Sequence, residues 1–247
     1  MMTNAPDFLR LSDGTRLAYK KTDGAGPTVI WCGGLKSDME GSKAVHLETW
    51  AKDQGRAYIR FDYFGHGMSD GDFIDGTISR WACDVVAIMD AFCEDGVILI
   101  GSSMGGWASL LAATERKDKV KAMLLINPAP DFTEKLTYAK WTEEQKHTLE
   151  TDGVVYEPSG YDEPYAYSKV LMDDGKACQI LDEPISLVCP IRILQGAEDS
   201  VVPPAHSQLI IEAVESTDVT YTLVKGGDHS LSRETDLKLL SDVLSAL

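Results

Sequence analysis

Five short runs, at residues 28–32, 57–61, 97–100, 122–126 and 191–194, are apolar almost from end to end and rich in β-branched residues. A strand with one wet face alternates apolar and polar positions; a strand covered on both faces does not. Between these runs lie amphipathic stretches of helical length, at 43–53, 78–92, 104–115, 204–214 and 234–246. In the second of them Trp81, Val85, Ile88, Met89 and Phe92 recur at helical spacing. Residues 16–20, with 8–11, read as an antiparallel hairpin that opens the sheet. Strand and helix in repeated alternation predict an α/β protein with a mostly parallel, doubly wound sheet. At 247 residues the chain fits one such domain, 1–247.

The rhythm breaks once. From about 131 to 187 no strand–helix pair can be read, and the segment is expected to be a helical lid inserted in the domain. Helical patches are predicted at 142–151, where Thr142-Glu143-Glu144 suits an N-cap, and at 165–172. Glycines and prolines (Gly153, Pro158, Gly160, Pro164) separate them. The segment holds seven of the chain's twenty aromatics: Phe132, Tyr138, Trp141, Tyr156, Tyr161, Tyr165 and Tyr167. They are expected either to line an acyl pocket or to anchor a small flap. Thirteen Asp/Glu against five Lys/Arg give the segment a net −8, half of the chain's −16. That charge is either a solvated face or a barrier to anionic substrates such as acyl-CoA.

The chemistry is concentrated at Gly101-Ser102-Ser103-Met104-Gly105-Gly106, between a strand run and a helix run. This is the setting of a nucleophile elbow, in which the serine sits on a strained turn with its hydroxyl clear of the sheet edge. Gly101 and Gly105 are expected because side chains there would collide with the neighbouring strand and helix. Ser103 is the candidate nucleophile. A serine hydroxyl needs a base. Of five histidines only His229 lies in a glycine-rich loop after the last strand run, Lys225-Gly-Gly-Asp-His229. His46, His147 and His206 suit surface or capping roles. His66, in Asp62-Tyr-Phe-Gly-His66-Gly, is the rival, although its loop reads as one that shapes a site. The base needs an acid to hold its tautomer. Asp199, in the turn after 191–194, is the candidate, with Asp131 second. The order Ser103, Asp199, His229 is that of an α/β-hydrolase. Two backbone N–H groups, of Leu35 behind Gly33-Gly34 and of Met104, are the candidate oxyanion donors.

An elbow serine excludes the aspartate-dependent dehalogenase and epoxide chemistry of the same fold. It leaves esters and thioesters, with acyl transfer or a ligand receptor of little turnover as alternatives. The net charge of −16 opposes nucleic acid and anionic membranes. No apolar run approaches the roughly 18 residues of a membrane span. The five cysteines show neither a CxxC nor a metal spacing, and no cofactor is signalled. No signal-peptide pattern is visible at the N-terminus, and the scattered cysteines, read as buried small hydrophobes in a reducing compartment, make a cytoplasmic location the expectation.

Gly33-Gly-Leu-Lys-Ser-Asp-Met-Glu-Gly-Ser-Lys43, Ile59-Arg-Phe-Asp-Tyr63, Gly101-Ser-Ser-Met-Gly-Gly-Trp107, Cys189-Pro-Ile-Arg192 and Gly196-x-x-Asp199-x-x-Val-Pro203 carry a more specific signal. Over nearly the whole chain they resemble the α/β-hydrolase family of the mitochondrial palmitoyl-protein thioesterase, also called mycophenolic acid acyl-glucuronide esterase. The chain looks like a bacterial relative without the transit segment. The resemblance implies a Ser-Asp-His hydrolase of S-acyl proteins and some acyl-glucuronide esters, with Ser103, Asp199 and His229 on the family's triad. The family's oxyanion loop has Pro-Gly-Tyr where this chain has Gly33-Gly34-Leu35.

Overall fold

The computed structural model describes residues 5–158 and 164–247. It opens on an antiparallel hairpin, β1 (Asp7–Arg10) and β2 (Arg16–Thr22). Then follow β3 (Ala25–Cys32), α1 (Ser42–Gln54), β4 (Arg56–Phe61), α2 (Ile78–Phe92), β5 (Val97–Ser102), α3 (Met104–Glu115) and β6 (Val120–Ile126). An inserted segment carries α4 (Glu143–Asp152), β7 (Val154–Glu157), β8 (Tyr165–Ser168) and α5 (Lys169–Ala177). The chain closes with β9 (Ile191–Gly196), α6 (Pro204–Ala213), β10 (Val219–Val224) and α7 (Glu234–Ser245).

Eight strands form one sheet in the order β1-β2-β4-β3-β5-β6-β9-β10. Only β1 and β2 run antiparallel to their neighbours. The reason the central runs are continuously apolar is now visible. Alternate residues of each strand enter two separate cores. Val29, Trp31, Tyr58, Ile98, Ile100, Leu124 and Ile126 pack against α1 and α7. Ile30, Ile59, Phe61, Leu99, Met123, Leu125 and Ile193 pack against α2, α3 and α6. The edge strand β10 has no fully buried residue and its sequence, Val-Thr-Tyr-Thr-Leu-Val, is correspondingly mixed.

From β3 the chain goes to β4 on one side, and later returns to β5 on the other. Such a reversal leaves a crevice beyond the strand C-termini, where ligands of open α/β sheets bind. The β3 end, with Gly33 to Leu35, and the β5 end, with Ser103, flank that crevice; Cys32 and Gly101 are register partners.

The inserted segment departs from the expectation of helical patches alone, because it holds a two-stranded hairpin of β7 and β8. Residues 165–172 are not one helical patch. Tyr165–Ser168 is a strand paired antiparallel with β7, with Tyr167 opposite Val155. The alternation Tyr-Ala-Tyr places both rings on one side, 6.2 Å apart, and the Tyr167 ring lies 6.0 Å from Trp141. The helix starts only where Ser168 caps it by accepting the N–H of Leu171. The N-cap at Thr142 forms a reciprocal capping box with Gln145. Among the described residues no helix is long and apolar enough to cross a membrane.

Candidate active site

Ser103 follows β5 directly and precedes α3, with φ 54° and ψ −121°. A side chain at such a φ is strained, at a cost of about 1–3 kcal/mol, and persists only where its surroundings over-determine it. Three backbone bonds do so. Ser103 donates its N–H to Ile126 (3.0 Å), and its carbonyl accepts from Gly106 (2.9 Å) and Ala129 (3.1 Å). The flanking glycines are steric necessities. A Cβ at Gly105 would stand 2.2 Å from the Cys32 carbonyl oxygen. One at Gly101 would stand 2.5 Å from the Ser109 hydroxyl on α3.

His229, in the loop after β10, faces this hydroxyl. Its Nε2 is 3.1 Å from Ser103 Oγ, and its Nδ1 is 2.7 Å from Asp199 Oδ2. Asp199, buried in the turn after β9, uses its other oxygen to accept the N–H groups of Val201 and Val202, both at 2.8 Å. A carboxylate oxygen only accepts here, so Nδ1 carries the ring proton and Nε2 offers its lone pair to the serine O–H. The structure thus brings together Ser103, Asp199 and His229 from three separate strand ends.

A residue absent from the sequence reading links two of those ends. Asn127, wholly buried just past β6, sits at φ 42°, a region asparagine tolerates better than most side chains. Its amide donates to the carbonyls of Asp228 (3.0 Å) and His229 (2.8 Å). Its oxygen accepts the N–H of Gly196 (2.7 Å). One side chain therefore ties the His229 loop to the strand end that leads to Asp199. The only sequence signal was an asparagine before proline at the end of a central strand.

Asp131 lies elsewhere. Its carboxylate accepts the N–H groups of Ile180 (2.9 Å) and Leu181 (3.0 Å), closing the exit of the inserted segment onto its start. Burial pushes its pKa up, against the pull of those two N–H groups. His46 bonds the Ser241 hydroxyl at 2.7 Å, and His147 sits on α4. His206 is not a surface or capping residue. It is buried, with Nε2 2.7 Å from the Pro130 carbonyl, because the loop after β6 lies against the first turn of α6. His66 is buried in a cage of rings.

The backbone at Gly34 passes close over the serine, since a Cβ there would stand 3.5 Å from Ser103 Cβ. Leu35 follows it, and Met104 opens α3. Among the described residues no protein acceptor engages the N–H of either. Phe132 packs edge-on against Trp107 of α3, 5.7 Å between centroids. The rings of Tyr138, Trp141, Tyr165 and Tyr167 pack on one another, as anchors of the inserted segment do. Tyr156 is exposed, and Tyr161 lies outside the described residues.

Comparison with known proteins gives these positions a context. The family model described as "Serine aminopeptidase, S33" matches residues 27–155 and 167–236. The mitochondrial palmitoyl-protein thioesterase ABHD10 of Mus musculus is 38% identical over 239 residues, covering 94% of this chain and 79% of the relative. The solved structure of mouse alpha/beta hydrolase domain-containing protein 10 superposes with a TM-score of 0.91 at 35% identity, covering 98% of this chain and 97% of that one. A putative hydrolase from Agrobacterium vitis S4 superposes with a TM-score of 0.93 at 39% identity, over 98% and 97% of the two chains.

Proposed function

This chain belongs to the α/β-hydrolase family of the palmitoyl-protein thioesterase ABHD10 and is a serine hydrolase, and from that premise we propose that it cleaves S-acyl thioesters through an acyl-enzyme on Ser103. The observation that carries the reading is the continuous hydrogen-bond line from Ser103 Oγ through His229 to Asp199. As Oγ attacks the acyl carbonyl, its proton passes to His229 Nε2. Asp199 stabilises the imidazolium from the Nδ1 side. The carbonyl oxygen, now charged, faces the N–H groups of Leu35 and Met104 at the start of α3, where the helix dipole also favours it. Collapse breaks the carbon–sulfur bond, and Nε2 returns its proton to the departing thiolate. Water then repeats the sequence on the acyl-enzyme, releasing the carboxylic acid and restoring Ser103.

The inserted segment acts as a lid, with the ring of Phe132 packed edge-on against Trp107 of the elbow helix. The preference for sulfur is tested with an S-acyl peptide and an oxygen ester of the same acyl chain. A higher kcat/KM for the thioester is expected; a clear preference for the oxygen ester would assign the protein to ester hydrolysis instead.

The lid's net −8 is proposed to disfavour anionic leaving groups. Raising salt from 0.1 to 1 M shortens the screening length from about 10 to about 3 Å. Hydrolysis of an acyl-CoA should therefore gain severalfold in kcat/KM with salt, while a neutral p-nitrophenyl ester of the same acyl chain hardly moves. Equal responses would make the charge a solvated surface and restore acyl-CoA to the candidate substrates.

Asn127→Asp keeps size and the left-handed backbone but replaces two donated hydrogen bonds by a carboxylate facing the carbonyls of Asp228 and His229. Displacing the base by about 1 Å costs on the order of 10² in rate. A fall of that size in kcat at nearly constant KM is expected. A KM effect alone would place Asn127 outside the support of His229.

A further inference from the structure

His66 has the appearance of a second catalytic base, yet its two ring nitrogens are already occupied. Nδ1 lies 3.1 Å from the carbonyl oxygen of Phe64, so it carries the proton and donates it. Nε2 lies 3.2 Å from the backbone nitrogen of Lys36 and accepts that N–H. The ring is only 4% exposed and is walled by Phe73 and Trp81, each 5.2 Å away, and by Tyr63 at 5.7 Å. Burial lowers its pKa to about 4, so the Nε2 lone pair stays free of a proton at neutral pH. A group so placed cannot exchange protons with a substrate. It can hold a backbone amide.

The amide it holds is the neighbour of the candidate oxyanion donor. A trans peptide is a rigid plane in which C=O and N–H point to opposite sides. Fixing either group fixes the plane. The plane between Gly34 and Leu35 is fixed from its carbonyl, which accepts the Ser37 N–H (3.2 Å) and the Ser37 hydroxyl (2.7 Å). The plane between Leu35 and Lys36 is fixed from its N–H, by His66. Lys36 itself sits at φ 59°, a strained conformation for a residue with a side chain. Two adjacent planes, held from different sides, leave the Leu35 N–H little freedom to swing. The second hold reaches across from the loop after β4, and Asp62 at the head of that loop accepts the N–H groups of Met39 (2.7 Å) and Met68 (2.8 Å), bracing the two loops together.

We infer that His66 is a positioning residue for the oxyanion hole: its unprotonated Nε2, fixed in an aromatic cage, accepts the Lys36 N–H and thereby aims the Leu35 N–H at the developing oxyanion. This rests on the reading of Leu35 as a donor to that oxyanion. The position calls for a histidine and not merely a ring. An acceptor must project from the apolar cage at the reach of Nε2 while the near side donates to Phe64. Among neutral side chains the glutamine oxygen superposes best on Nε2, and the asparagine amide on Nδ1.

The test compares His66→Gln with His66→Asn. The first keeps an acceptor for Lys36; the second keeps only a donor for Phe64. Thermal melting controls for loss of the ring, which both variants share. His66→Asn should lower kcat roughly 10- to 100-fold at little change in KM, less than the 10²–10³ of losing a donor outright. His66→Gln should recover most of that loss. The Ki of a trifluoromethyl ketone, whose adduct with serine carries an oxyanion, should rise in step with the fall in kcat/KM. Equal losses in the two variants, or an unchanged Ki, would overturn the proposal. Should His66→Asn fail to fold, a backbone ester at Lys36 deletes the N–H and leaves His66 in place; full activity of that protein would overturn the proposal too. A backbone ester at Leu35 separates the underlying reading. If it costs nothing, the oxyanion assignment fails. If it is costly while the ester at Lys36 and His66→Asn are harmless, only the role of His66 fails.

Discussion

Ser103→Ala is expected to abolish covalent labelling by a fluorophosphonate and to lower kcat by about 10⁶, the scale on which removal of a triad nucleophile is felt. The fold should survive. Alanine and serine tolerate φ 54° about equally badly, and the bonds that enforce that angle are all main chain, from Ser103 to Ile126, Gly106 and Ala129. Among the described residues Ser103 Oγ makes one hydrogen bond, to His229, and its loss leaves the partly exposed ring free to reach water. An unchanged melting temperature with no labelling therefore isolates the chemistry. Ser102 offers an internal control. It is the other hydroxyl of the motif, buried at the end of β5, and Ser102→Ala should label normally. Labelling of the Ser103→Ala protein at full stoichiometry would move the nucleophile elsewhere.

The sheet was legible because its strands are buried on both faces. A run such as Val97-Ile-Leu-Ile100 admits no alternation when Ile98 and Ile100 enter one core and Val97 and Leu99 the other. The elbow was legible for a steric reason, since glycine is what lets α3 pass within contact of the β3 carbonyls. The strand at Tyr165–Ser168 was not, because four residues of mixed character adjoining a helix carry too little pattern, and the pairing with β7 that decides them is non-local. Asn127 was hidden for a different reason, which also left His66 legible only as part of a loop that shapes the site and not in the contact it makes. Their partners are backbone groups, of Gly196, Asp228 and His229 in one case and of Lys36 and Phe64 in the other. A main-chain partner leaves no residue type to recognise in the sequence. His206 misled in the same way, since its partner is the backbone carbonyl of Pro130 in the loop after β6.

Asp199→Asn is expected to lower kcat by about 10⁴, as in other triads where the acid is made an amide. The local hydrogen bonds say why. Asp199 Oδ1 is held by two backbone donors, Val201 and Val202 at 2.8 Å. An asparagine must keep its only oxygen there, so its NH₂ group takes the place of Oδ2, facing His229 Nδ1. That nitrogen must then accept, the proton moves to Nε2, and the ring presents a donor to Ser103 where a base is required. Stability should change little, because both turn bonds remain. Asp131→Asn predicts the opposite pairing of effects. Each of its two oxygens accepts one N–H, from Ile180 and from Leu181, so an amide sets an NH₂ against one of them. The inserted segment should loosen and the melting temperature fall by a few degrees, while kcat stays within about tenfold, since Asp131 makes no bond to His229 and one lost buried hydrogen bond is worth about 1–3 kcal/mol. Measuring kcat and melting temperature on both variants separates the two aspartates. A larger loss of kcat in Asp131→Asn than in Asp199→Asn would transfer the acid's role to Asp131.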